Sequence, residues 1–114
     1  MFRRAYRLSL DVHRKSLEFP PLGQRALADQ LRRASVSTVS NVAEGHGRAR
    51  RAEFAHFLLI ARGSAVEVQA QLVISLNTGR LTYAEYSRLR GMADHTVALI
   101  TKLHSVVLGQ QERN

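Results

Sequence analysis

The chain has no cysteine and no tryptophan, only two prolines, seven aromatic residues and nine carboxylates in 114 residues. Each shortage removes a class of explanation. Without cysteine there are no disulfides, thiolate nucleophiles or cysteine-ligated zinc sites, which suits a reducing, cytoplasmic setting. The two prolines stand side by side at Pro20-Pro21, so no other segment carries a residue that forbids a continuing helix. Few aromatics leave little material for base stacking, because Phe54 and Phe57 are wanted in the core. No long apolar run occurs either: the stretch from Phe54 to Ala61 is broken by His56 and is too short to cross a bilayer. The opening Met1-Phe2-Arg3-Arg4-Ala5-Tyr6-Arg7 is basic but leads into Asp11, His13, Arg14 and Lys15 instead of an apolar core, which argues against a signal peptide.

Seventeen Lys and Arg oppose the nine carboxylates, giving a formal charge of +8, and hydrophobic residues make up 45% of the chain. That charge favours anionic partners, with nucleic acid foremost. The length suits one domain over residues 1–114, large enough to bury a core unaided.

Apolar periodicity resolves four helical segments. The first runs from about Arg3 to Leu17, with Ala5, Leu8 and Val12 on one stripe and Tyr6, Leu10 and Leu17 beside it; Pro20-Pro21 and Gly23 end it. The second spans about Gln24 to Glu44, turns Leu27, Leu31, Ala34, Val39, Val42 and Ala43 inward, and is stopped by Gly45 and Gly47. The third, about Arg51 to Leu76, is the most regular, with Phe54, Phe57, Leu58, Ala61, Ala65, Val68, Leu72 and Leu76 at steps of three and four. Asn77-Thr78-Gly79 reads as its C-terminal cap, and Thr82 with Glu85 as a capping box that starts a fourth helix reaching about Gly109 and fraying over Gln110 to Asn114. Short connections make successive helices antiparallel, so the expected fold is all-α: an up-down-up-down four-helix bundle.

The third helix carries a second apolar stripe, Leu59, Gly63, Val66, Ala70 and Val73, rotated away from the first. A helix apolar on two faces needs two partners, and another subunit is the expected second one. The alternative is a wide core stripe touching both neighbouring helices.

Three stretches carry a family resemblance: Asp29-Gln30-Leu31-Arg32-Arg33-Ala34, Asn41-Val42-Ala43-Glu44-Gly45-His46-Gly47-Arg48, and Gly63-Ser64 followed by Glu67 and Gln71-Leu72. Together they resemble the 23S rRNA-intervening sequence protein family. The resemblance implies a four-helix bundle assembled as a ring-shaped homopentamer with no established enzymatic activity. It extends in fold to the accessory variability determinants of diversity-generating retroelements, basic pentamers that bind nucleic acid and a reverse transcriptase. Two positions depart from the family pattern: Val39 where a proline is frequent, and a first helix without tryptophan.

The candidate nucleic-acid surface is the cluster Arg48, Arg50 and Arg51 near His46, joined by Arg32 and Arg33 from the preceding helix. Arginine offers phosphate a planar fork of donors, and amides at a helix start add to it. The competing reading is a solvated turn in which Arg33 or Arg48 pairs with Glu44 or Glu67. Asn41, Glu44, Glu67 and Gln71, with Ser37, are expected to form a polar network between the second and third helices. No catalytic set is legible: Asp94 and His95 are adjacent and diverge on a helix, and Gly45-x-Gly47 follows a helix, not the strand a dinucleotide fingerprint needs. Glu53 and His56 form one Glu-x-x-His match where a di-metal bundle needs two, so no metal or cofactor is expected. The expected function is therefore non-enzymatic: an oligomer binding RNA or DNA through its basic surface, with a scaffold for an acidic protein partner as the alternative.

Overall fold

Segments that repeat apolar residues at steps of three and four, with no proline inside them, have one economical way to satisfy their backbone groups. The computed structural model describes residues 1–19 and 25–113, with the side chains of residues 25 and 110–113 outside the description, and resolves four helices. They are α1 (Phe2–Ser16), α2 (Arg25–His46), α3 (Arg51–Asn77) and α4 (Tyr83–Arg113). The breaks expected at Pro20, Pro21 and Gly23 lie outside the described residues. The fourth helix outruns its expected end at Gly109, continuing through Arg113, because nothing in Gln110-Gln111-Glu112 interrupts it.

Helix α3 packs against α2 on one side and α4 on the other, and α1 closes the square by touching α2 and α4. The resulting rod measures 53 × 20 × 18 Å. One end holds the close of α1, the start of α2 and the α3–α4 turn; the other holds the start of α1, the α2–α3 turn and the close of α4. With 15 residues against 27 in α3, α1 covers only part of the rod's length.

Leucine dominates the core toward the first end, where Leu8, Val12, Leu31, Val68, Leu72, Leu81, Leu89 and Ala93 cluster. Toward the other end a smaller cluster comprises Val42, Ala55, Leu58, Ala61, Ile100 and Val107. Several expected core residues turn out: Tyr6 is 50% and Leu17 80% exposed, and Ala43 is exposed. Small polar residues that were not expected inside are buried, among them Ser9, Ser35, Thr38, Ser64, Ser75 and Thr96. Hydropathy overlooked these residues because it ignores local hydrogen bonding. The Thr38, Ser75 and Thr96 hydroxyls donate to the carbonyls of Ala34, Gln71 and Met92 four residues back, at 2.8–2.9 Å. Between helices, Ser9 Oγ meets Ser35 Oγ at 3.3 Å and Ser37 Oγ meets Ser64 Oγ at 2.7 Å.

Gly79 adopts φ +78°, the left-handed conformation expected of a cap. Its N–H donates to Leu76 O at 3.1 Å and that of Arg80 to Ser75 O at 2.9 Å, the paired bonds of a Schellman closure. Thr82 and Glu85 then form the reciprocal capping box, Thr82 N–H to Glu85 Oε1 at 2.8 Å and Glu85 N–H to Thr82 Oγ1 at 3.1 Å. The stop expected of Gly45 and Gly47 falls at Gly47 alone, since α2 continues through Gly45 to His46. Neither has positive φ, and Gly45 lies inside α2, where an added Cβ would stand 2.9 Å from Phe54 Cδ1 and 3.2 Å from Phe57 Cβ. Gly45 serves helix-to-helix approach, not termination.

A candidate nucleic-acid interface at one end of the bundle

The α2–α3 turn is tight: Gly47 N–H donates to the Ala43 and Glu44 carbonyls at 3.2 Å, and Arg48 N–H to Gly45 O at 3.1 Å. The chain then passes through Arg50 in extended conformation (φ −92°, ψ 135°) and enters α3 without a side-chain cap. Arg48 is tied down, bonded to Glu44 at 2.5 Å, 3.8 Å from Glu53, and 5.0 Å above the Phe57 ring. Arg50 and Arg51 are exposed and, among the described residues, have no carboxylate within ion-pair distance. Both line a groove of about 270 Å³ with His46, Arg48, Phe54 and Val107. The His46 ring leans on Phe54, centroids 5.0 Å apart.

Three further arginines reach this end from α1. Arg3, Arg4 and Arg7 line an adjoining groove of about 570 Å³ together with Met1, Phe2 and His46. Arg4 and Arg7 also border a third groove, about 280 Å³, between α1 and α4, with Asp11, Arg88, Met92 and His95. There Arg88 bonds Asp11 at 2.9 Å. Sequence reasoning treated the basic start of the chain only as a possible leader. The antiparallel order was the available signal, since it brings the start of α1 beside the end of α2.

Arg32 and Arg33 do not join this cluster, which corrects the single patch expected of Arg32, Arg33, Arg48, Arg50 and Arg51. They lie about 20 Å down α2 at 1.5 Å per residue. The Arg32 guanidinium donates to Ser16 Oγ at 2.8 Å and to Asp29 Oδ1 at 2.7 Å, fastening the close of α1 to α2. Arg33 is exposed on a shallow groove with Gln30, Ala34, Ser37, Glu67 and Gln71. Helical spacing along α2 had allowed one face to be imagined for residues that a third of the bundle separates.

The polar network is smaller than expected. Asn41 Nδ2 donates to Ser37 O at 2.8 Å and lies 3.1 Å from Ser37 Oγ, which in turn meets Ser64. Glu44 is drawn instead to Arg48, Glu67 has no hydrogen bond among the described residues, and Gln71 Oε1 is buried without a partner there. Among the described residues no three His, Cys, Asp or Glu side chains gather as metal ligands would. His56 rests edge-on against Phe57, and Glu53 faces Arg48.

On α3 the second stripe is open to solvent. Leu59 is 49%, Val66 45% and Ile74 49% exposed, Ala70 is exposed, and a Cβ on Gly63 would meet nothing within 4 Å. Val73 is half-buried, turned toward the bundle, and Ile74 takes the outward position. Apolar on both faces, α3 is the one helix among the described residues whose length and hydropathy match a membrane-crossing segment. Its packing between α2 and α4 accounts for one of those faces.

The molecule is thus an all-α four-helix bundle with an arginine-rich end. Its sequence from residue 1 to 102 matches the family model of the 23S rRNA-intervening sequence protein, and the chain belongs to that family. The fold is similar to the crystal structure of a protein of unknown function from the S23 ribosomal protein family of Bacteroides thetaiotaomicron. That likeness has a TM-score of 0.82 at 17% identity and covers 90% of this chain and 96% of the other. Among curated proteins none matches the chain.

Proposed function

We propose that this protein is a non-enzymatic, cytoplasmic, nucleic-acid-binding oligomer that grips phosphate at the arginine-rich end of the bundle. One observation carries the reading: Arg3, Arg4 and Arg7 share a groove with His46, which also lines the groove of Arg48, Arg50 and Arg51. Six guanidinium groups at one end of a rod about 20 Å wide create a field that concentrates polyanions and releases their counterions on contact. The open apolar face of α3 supports self-association, and the family resemblance suggests five subunits, which would multiply the arginine ends in one particle.

Binding of nuclease-treated protein to structured RNA and to duplex DNA across a salt series tests the first part. The Arg50→Ala/Arg51→Ala double variant should weaken binding and flatten the dependence of log K on log salt by about 0.9 per lost duplex phosphate contact. Arg32→Ala, whose partners are Ser16 and Asp29, should lower stability and leave that slope unchanged. Binding seen only at low salt and indifferent to Arg50 and Arg51 would move the assignment to a scaffold for an acidic protein. For the second part, sedimentation of a Val66→Asp variant should show a smaller particle than the unmodified chain; an unchanged particle size would remove the α3 face from any subunit contact.

A further inference from the structure

The buried ridge of α1 consists of small and medium residues, Ala5, Leu8, Ser9, Val12 and Ser16. Set on that ridge, the helix rolls Phe2 and Tyr6 out of the core, leaving them 45% and 50% exposed. One turn apart, their rings lie 6.2 Å between centroids and only 13° from parallel. Scattered exposed apolar side chains are ordinary, but two near-parallel rings one turn apart, each about half exposed, offer aromatic faces on which another aromatic plane can stack. Arg3 and Arg7 each follow one of these rings by one residue, so they occupy the neighbouring ridge of the helix.

The two rings stand beside a basic path. Phe2 lines the same groove as Arg3, Arg4, Arg7 and His46. From there the path runs one way through Arg4 and Arg7 toward Arg88 and His95, where Asp11 is the one carboxylate lining the groove among the described residues, and the other way through His46 to Arg50 and Arg51. A duplex offers such a path its phosphates and hides its base faces. An unpaired strand offers both, and aromatic faces beside a positive groove are the means by which proteins hold single strands.

We propose that this end binds an unpaired polynucleotide strand, its bases stacked on Phe2 and Tyr6 and its phosphates carried by Arg3, Arg4 and Arg7. The inference rests on the nucleic-acid reading above and narrows it to single strands.

Fluorescence anisotropy separates the two claims. The probes are oligo(rU), oligo(dU) and an abasic deoxyribose-phosphate oligomer, each of about 12 nucleotides, with a duplex of the same length. The unmodified protein should prefer the uridine oligomers to both the abasic strand and the duplex, and the tighter of oligo(rU) and oligo(dU) identifies the sugar. Phe2→Ala and Tyr6→Ala should each weaken the uridine oligomers at least about fivefold, the equivalent of about 1 kcal/mol, with duplex and abasic binding unchanged. Phe2→Trp should retain the affinity. If both alanine variants bind the uridine oligomers as the unmodified chain does, while Arg3→Ala/Arg7→Ala weakens every probe, the stacking claim fails and the broader reading stands. If no probe binds, the broader reading itself fails. A change of sedimentation in Phe2→Ala or Tyr6→Ala would assign the rings to a subunit contact and overturn the proposal.

Discussion

The two ends of the bundle carry similar kinds of residue and use them differently. At the end formed by the α3–α4 turn, several charges are paired and the backbone groups of the turn are closed off, although Arg33 and Arg80 have no carboxylate within ion-pair distance among the described residues. Lys15 bonds both Glu18 and Glu85, Arg32 bonds Asp29, the Schellman closure ends α3 and the capping box begins α4. At the other end, among the described side chains, six arginines face two carboxylates, Glu44 and Glu53, both of which go to Arg48. Surface ion pairs contribute little stability each, about 0–1 kcal/mol, so the end at the α3–α4 turn is not held together mainly by its charges. The difference lies in what remains available: among the described residues, one end uses more of its charge in internal pairs, and the other presents more of it.

Core deletions test this comparison with the largest expected effect. Leu72→Ala, in the leucine-rich cluster toward the α3–α4 turn, should cost about 2–5 kcal/mol in urea unfolding. Leu58→Ala, equally buried but in the smaller cluster toward the arginine end, should fall low in that range because fewer large side chains surround it. Equal losses would show that the two clusters respond as one core. A smaller effect is expected at Glu85, where Thr82→Ala removes the hydroxyl that accepts its N–H and should cost about 1 kcal/mol.

The same carboxylate also gives a pH signature. The Lys15 ammonium first, and then the Thr82 N–H, hold the Glu85 carboxyl down to about 2 from an ordinary 4.5. A depressed folded value means stability that is present above pH 4.5 and lost as pH falls toward 2. Lys15 is raised from 10.5 by the same bond, so its share is full below 10.5 and is lost as pH rises through the folded value. Melting temperatures measured from pH 5 to 2 should therefore fall less steeply in Lys15→Met than in the unmodified protein. Parallel curves would show that Glu85 takes its stabilisation from the backbone alone.

How much of this was legible depends on whether the cause was local. Gly79, Thr82 and Glu85 were readable because a left-handed cap and a reciprocal box are satisfied within a few residues, whatever surrounds them. Leu8, Leu31, Leu58, Val68 and Leu72 were readable because an apolar side chain repeated at helical spacing has one place to go. Gly45 was misread because its role depends on Phe54 and Phe57 from another helix, and a glycine near a helix end looks like a stop until its neighbour is known. Tyr6 was misread for a related reason. Its hydropathy places it beside the core stripe, but α1 seats itself on Ala5, Leu8, Ser9, Val12 and Ser16, and Tyr6 lies off that ridge, half exposed.

The sequence by itself determined that this protein is helical, where its helices begin and where α1 and α3 end, that α3 is apolar on two faces, and that its charge favours polyanions. These properties belong to composition and to periodicity along one chain. Only the tertiary structure decided which arginines stand together. It took Arg32 away to brace α1, left Arg33 on a separate groove, and brought Arg3, Arg4 and Arg7 from the start of the chain to Arg50 and Arg51 in its middle. The reason is geometric: a site shared by helices distant in sequence exists only once the antiparallel bundle fixes which ends are neighbours.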